Sequence, residues 1–188
     1  MKATYGPWLV ILSAIVSASS AKYTAGFARE MGKASVQGLG QEKWTHLHFF
    51  WHDINSGLNQ TVSTIIPAVN SSKLSFGEVR VTDNPLTSGR ELNSGIVGRS
   101  QGMLSQASRT DIRLLMEMNY IFTQGVYNGS SICLFGSNRI LTQGRELPVI
   151  GGTGIFRYGR GYAILKTIEL NFQTRDALVE YDLYVLHF

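Results

Sequence analysis

Cysteine is nearly absent: Cys133 is the single one in 188 residues. An internal disulfide is therefore excluded, and one thiol cannot supply the ligand set of a zinc or iron–sulfur centre. Cys133 is expected to be a small buried apolar group. Charge is sparse as well, at 16% of residues, with 17 basic against 13 acidic side chains and no Lys/Arg cluster. A scattered excess of this kind excludes nucleic-acid binding as the main role and would give at most weak attraction to a polyanionic wall. No repeat of solenoid or propeller length is present. After residue 21 no apolar run approaches the ~20 residues needed to span a bilayer as a helix. What the chain has is a 44% hydrophobic content with 20 glycines, enough for one folded domain with a sizeable core.

Residues 1–21 read as a signal peptide, with Lys2 before the apolar stretch Trp8 to Val16 and the small residues Ser19-Ser20-Ala21 at its end. Export is expected. Residues 22–41 mix small and charged side chains without a period and read as a flexible N-terminal arm, leaving 42–188 as the folded domain. Three N-x-S/T triplets, at Asn59, Asn70 and Asn128, are candidate glycosylation sites consistent with that route.

From Trp44 the pattern has period two: Leu47, Phe49, Trp51 and Asp53 share one face, and His46, His48, Phe50 and His52 the other. The alternation returns in Leu114, Met116, Met118, Tyr120, Phe122 and in Val179, Tyr181, Leu183, Val185. Shorter runs at 62–66, 76–82, 96–104, 131–135 and 156–166 are separated by Gly, Asn, Ser and Pro. Short strands at near-regular spacing predict an all-β, antiparallel barrel or sandwich. Leu114 to Phe122 also fits a helix by apolar spacing, but it runs into Tyr127-Asn128-Gly129, a hairpin signal, so strand is preferred.

Several segments resemble chemical motifs without satisfying them. Gly98-Arg99-Ser100-Gln101-Gly102 has the G-x-S-x-G form of a nucleophile elbow, with Asp176 or Asp182 and then His187 in a permissible order. An elbow joins a strand to a helix in a parallel sheet, and no βαβ alternation surrounds this one, so the glycines are read as belonging to a curved barrel strand. His46 and His48 could chelate one ion from one strand face, but the carboxylate a metal motif needs after them is replaced by His52. No metal and no cofactor are expected. Gly151-Gly152-Thr153-Gly154 lacks the spacing and the following helix of a dinucleotide loop and reads as a turn.

Asp53 is more informative because it continues an apolar inward face. A carboxylate there must be paired or protonated, and either state could serve acid chemistry on a ligand inside the barrel. Periodicity equally allows Asp53 to cap the turn Ile54-Asn55-Ser56-Gly57. For Arg145, pattern alone leaves open a surface charge.

Taken together, Phe50-Trp51-His52-Asp53-Ile54, Val81-Thr82-Asp83-Asn84-Pro85-Leu86-Thr87, Val97-Gly98-Arg99-Ser100-Gln101-Gly102, Asn119-Tyr120-Ile121-Phe122, Tyr127-Asn128-Gly129-Ser130, Arg145 to Gly154, Gly159-Arg160-Gly161-Tyr162-Ala163 and the terminal Val179 to Phe188 resemble the plant dirigent proteins. They stand in family order over nearly the whole of 42–188. The missing cysteine pair resembles the branch with isoflavonoid-processing, pterocarpan synthase-like members. The resemblance implies an eight-stranded antiparallel β-barrel related to allene oxide cyclases. It also implies a homotrimer, a dimer being the alternative, and secretion to the apoplast. Members impose stereoselectivity on coupling of phenoxy radicals from phenolic substrates such as coniferyl alcohol, a separate laccase or peroxidase making the radicals. Others close a ring through a quinone methide after acid-assisted loss of water. A secreted binding barrel without turnover, acting in defence or wall assembly, is the third possibility.

Carried over by position, the resemblance implies Asp53 as proton donor or acceptor and Arg145 as holder of charge on a phenolic oxygen. Phe49, Trp51, Leu104 and Asn138 would line the pocket. Two departures stand out: Leu104 lies where lignan-forming members have Tyr, and Asn138 where they have a second Asp.

Overall fold

The computed structural model describes residues 40–188, so the signal segment and nearly all of the N-terminal arm lie outside the described residues. Nine strands follow in chain order: β1 (Lys43–Asp53), β2 (Val62–Ile66), β3 (Val79–Thr87), β4 (Ile96–Gln106), β5 (Leu114–Phe122), β6 (Ser131–Asn138), β7 (Arg145–Thr153), β8 (Arg160–Leu170) and β9 (Ala177–His187). From β3 to β9 each pairs antiparallel with the next. β9 then pairs with β1 along its whole length, from Lys43↔His187 to Asp53↔Ala177, and β1 meets β3 at Phe50↔Thr87 and Trp51↔Leu86. Eight strands thus close a barrel, and β2 continues the β1 side by pairing with the first half of β3. Closure satisfies the ladder groups that an open sheet would leave at its edges.

Alternation decides what fills the barrel. Leu114, Met116, Met118, Tyr120 and Phe122 of β5 all point inward and are buried, which confirms the strand reading of that segment. Each such side chain contributes on the order of 1.5–3 kcal/mol by leaving water. At one end Phe156 packs against Phe122, Tyr127 and His187 with ring centroids 5.0–5.8 Å apart and closes the interior. The other end is ringed by the β2–β3, β4–β5, β6–β7 and β8–β9 connections.

β4 lies so close to β5 that a Cβ added at Gly102 would be 2.0 Å from the Glu117 carbonyl oxygen. Ser100 sits mid-strand and fully buried between the two glycines, so the G-x-S-x-G segment is barrel wall.

Three expectations are corrected. Gly151–Thr153 is the end of β7 and only Gly154 begins a turn; Pro148 and the paired glycines disguise a strand whose Arg145, Leu147 and Val149 face inward. β8 starts at Arg160, while Phe156 belongs to a 3₁₀ turn. Phe50 and His52, on the other face of β1, are buried as well, and His52 Nε2 lies 2.7 Å from the Thr87 hydroxyl of β3. Cys133 is half-buried on the outer face, its thiol directed at Asn119 Oδ1, because inward parity on β6 belongs to Ile132 and Leu134.

Candidate active site

The open end leads into a cavity of about 210 Å³ whose deeper wall is formed by Trp51, Leu104, Leu114, Met116, Val179 and Tyr181. Asp53, Arg145 and Asn138 also line it, so β1, β6 and β7 bring three of the sequence-derived site residues together. Phe49 is different: it faces inward but packs on Tyr181, Tyr120 and Phe122 beneath the cavity and does not line it. Leu104 presents an apolar surface where a phenol would have offered a proton.

Asp53 is buried, 6% exposed. Its Oδ1 accepts a hydrogen bond from Asn84 Nδ2 at 2.8 Å, and Asn84 Oδ1 in turn accepts from the Thr61 hydroxyl at 2.5 Å. Burial pushes the Asp53 carboxyl above its usual range, opposed by the Asn84 hydrogen bond and the nearby Arg80 charge. The turn after β1 is capped by another carboxylate. Asp176 Oδ1 accepts from the Asn55 and Ser56 backbone N–H groups at 2.7 and 3.0 Å, so the turn's backbone is capped by Asp176 and not by Asp53.

Arg145 is buried at the first position of β7 and has no carboxylate partner among the described residues. Its Nε donates to Asn138 Oδ1 at 2.5 Å and its Nη1 to the Thr142 carbonyl at 3.2 Å. Burial lowers the pKa of this guanidinium, yet an arginine keeps its charge under ordinary conditions. The positions that resemble family carboxylate and phenol sites are thus Asn138, a neutral acceptor that holds Arg145 without cancelling its charge, and Leu104. At the mouth Glu78 accepts from Arg80 Nε at 3.2 Å and from Arg175 Nη1 at 2.7 Å, which ties the β8–β9 connection to β3.

Sequence reasoning missed the polar inward face of β3, where Arg80, Thr82 and Asn84 are buried in parity with Leu86. Extending the alternation back from Leu86 would have found it. Tyr181 was legible only as part of a core stripe; its hydroxyl receives the Tyr120 hydroxyl at 2.9 Å and it forms part of the cavity wall. His46 and His48 turn outward and bond Asp182 and Glu180 across to β9. The asparagines of all three N-x-S/T triplets are exposed.

Comparison with known proteins agrees with this geometry. The profile of the family described as Dirigent-like protein matches residues 44–186. Dirigent protein 21 of Arabidopsis thaliana is 42% identical over 181 residues, 95% of each chain. Pterocarpan synthase 1 of Glycyrrhiza echinata is 38% identical over 168 residues, covering 88% of this chain and 89% of the relative. A solved pterocarpan synthase dirigent protein superposes with a TM-score of 0.77 at 36% identity, over 86% of this chain and 89% of that one. A closed antiparallel barrel, the motifs that furnish its cavity, and a family match running from the first strand to the last lead to one assignment: the chain belongs to the dirigent family.

Proposed function

We propose that the barrel binds a phenolic radical or quinone methide in its cavity and fixes the face on which the new C–C or C–O bond forms. Oxidation is left to a separate laccase or peroxidase. The observation that carries this reading is one apolar cavity holding both a carboxyl whose pKa burial raises and a guanidinium without a carboxylate partner. An apolar cavity of about 150 Å³ accepts benzene, so 210 Å³ suits one substituted ring. Arg145 would hold the negative charge that gathers on the ring oxygen, and Asp53 would donate to a second oxygen. Orientation is the main catalytic contribution, because radicals and quinone methides react readily once formed. The test is chiral chromatography of coniferyl alcohol products made by a laccase with and without the purified protein. Enantiomeric excess at an unchanged oxidation rate supports directed coupling; a racemic product overturns it.

A second reading, favoured by the raised pKa of Asp53 and the likeness to pterocarpan synthases, is dehydration. Asp53 would protonate a benzylic hydroxyl, which leaves as water with the C–O electron pair. The phenol oxygen opposite would then lose its proton to give a quinone methide, attack by an internal phenol would close the ring while the quinone methide oxygen takes up a proton again, and the attacking phenol's proton would restore the Asp53 carboxyl. Water loss from an isoflavanol diol, followed by mass spectrometry, tests it. A barrel that binds phenols in defence or wall assembly without turnover is what remains if both assays are negative.

Secretion to the apoplast and self-association complete the proposal. The first is supported by the leader-like residues 1–21. The second is supported by Val81, Met103 and Phe135, each about 40% exposed, which share one cross-strand row of the outer wall with the exposed Glu117. A homotrimer is expected by sedimentation, with a dimer as the alternative.

A further inference from the structure

Arg145 and Tyr181 occupy one row of the barrel wall. Arg145 pairs with Leu165 across β7–β8, and Leu165 pairs with Tyr181 across β8–β9. Two strand spacings separate their backbones by about 10 Å, a gap that a long guanidinium stem and a tyrosine ring can cover from its two sides. Both side chains line the cavity, and Tyr181 is the sole phenol among its described lining residues. The ring is fixed: it stacks on Phe49 at 5.2 Å with planes 14° apart. Its hydroxyl is fixed too, since Tyr120 uses its own O–H to donate to it at 2.9 Å. A hydroxyl has one proton to give. That of Tyr181 has no acceptor among the described residues, and the Tyr181 side chain lines the cavity.

We infer that Tyr181 is a substrate-touching residue that donates a hydrogen bond, beside the Arg145 guanidinium, to the oxygen of the bound phenolic ring. This assignment rests on the phenolic reading of the cavity. Tyr120 acts as a positioning residue: by donating to Tyr181 it turns the Tyr181 proton toward the ligand and makes it a better donor. Burial holds both phenols in the protonated form, so Tyr181 serves as a donor and not as a base. The ligand class is therefore a ring with an acceptor oxygen, such as a phenolate or a quinone methide carbonyl.

The test is calorimetric titration of 4-propylphenol and propylbenzene into the full protein, its Tyr181→Phe variant and its Tyr120→Phe variant. Tyr181→Phe is expected to weaken 4-propylphenol binding about tenfold and leave propylbenzene unchanged, the size of one lost hydrogen bond. Tyr120→Phe is expected to lose about threefold for the phenol alone, and carries the test if Tyr181→Phe does not fold. Equal losses for both ligands, or none for either, overturn the assignment while leaving the phenolic cavity standing. Failure of the unsubstituted protein to bind 4-propylphenol overturns the phenolic reading itself and the assignment with it.

Discussion

Asn84 donates its side-chain N–H to Asp53 Oδ1 at 2.8 Å, while its own oxygen is occupied by the Thr61 hydroxyl. The amide is thus held in one orientation. With Oδ1 engaged as acceptor, a protonated Asp53 carries its hydrogen on Oδ2.

Asp53→Asn keeps the shape and removes the acid. We predict a loss of at least 100-fold in dehydration rate, a smaller loss of stereoselectivity in coupling, and a melting temperature within a few degrees of the parent. Rates and thermal melts on the same preparation check this. A variant that dehydrates at the parental rate would remove Asp53 from the mechanism.

The same carboxyl makes stability depend on pH. Its folded pKa lies above the ordinary 3.8, so the folded state binds the proton more tightly than the unfolded chain. Where the folded state binds more protons, unfolding free energy falls as pH rises. The decline attributable to Asp53 therefore starts near pH 3.8 and levels off above the raised folded value. Denaturant unfolding across this window is expected to show a flatter profile for Asp53→Asn than for the parent. Parallel profiles would contradict it. Dehydration should fall as pH rises through the same window.

Arg145 is a buried charge with only neutral partners. Replacing it with Met removes a desolvation cost, so Arg145→Met should be as stable as the parent or more so, while phenol turnover falls at least tenfold. Circular-dichroism melts and product assays separate the two effects. A destabilised variant with unchanged turnover would make Arg145 a structural residue.

Gly102→Ala places a methyl 2.0 Å from a backbone oxygen that cannot swing away. Strand β4 would have to part from β5, at a cost of about 3 kcal/mol or more. The urea midpoint reads this directly, and an unchanged midpoint would show that the wall is more pliant than its geometry implies.

Asn59, Asn70 and Asn128 are exposed, whereas Ser130, third in the last triplet, is buried with its hydroxyl accepting from the Ile155 N–H. Chain made in a secretory host should therefore lose mass on treatment with a glycan-removing amidase. Absence of any shift in the triple Asn→Gln comparison would argue against export by that route.

How much of this could be read from the chain varies with distance along it. Alternation is a local property of the backbone, since successive side chains of a strand must face opposite ways. The inward sets of β1, β5 and β9 were therefore legible from Leu47, Leu114 and Val179 onward. β7 was not, because Pro148 and Gly151-Gly152 are residues that strands ordinarily avoid, tolerated here where pairing with β6 shifts register near Ile150. The motifs at Asp53 and Arg145 marked two residues without saying where either side chain points.

The sequence by itself determined an all-β chain, the family, and which face of each long strand is apolar, because these depend on local period and ordered motifs. Only the tertiary structure decided that Asp176 takes the turn, leaving Asp53 buried beside Asn84, and that Arg145 is held by Asn138 with its charge uncancelled. It likewise decided that Tyr181 meets Tyr120 at the cavity wall while Phe49 lies beneath. Those contacts join residues up to 132 positions apart. They arise from strand register and barrel closure, which no local pattern encodes.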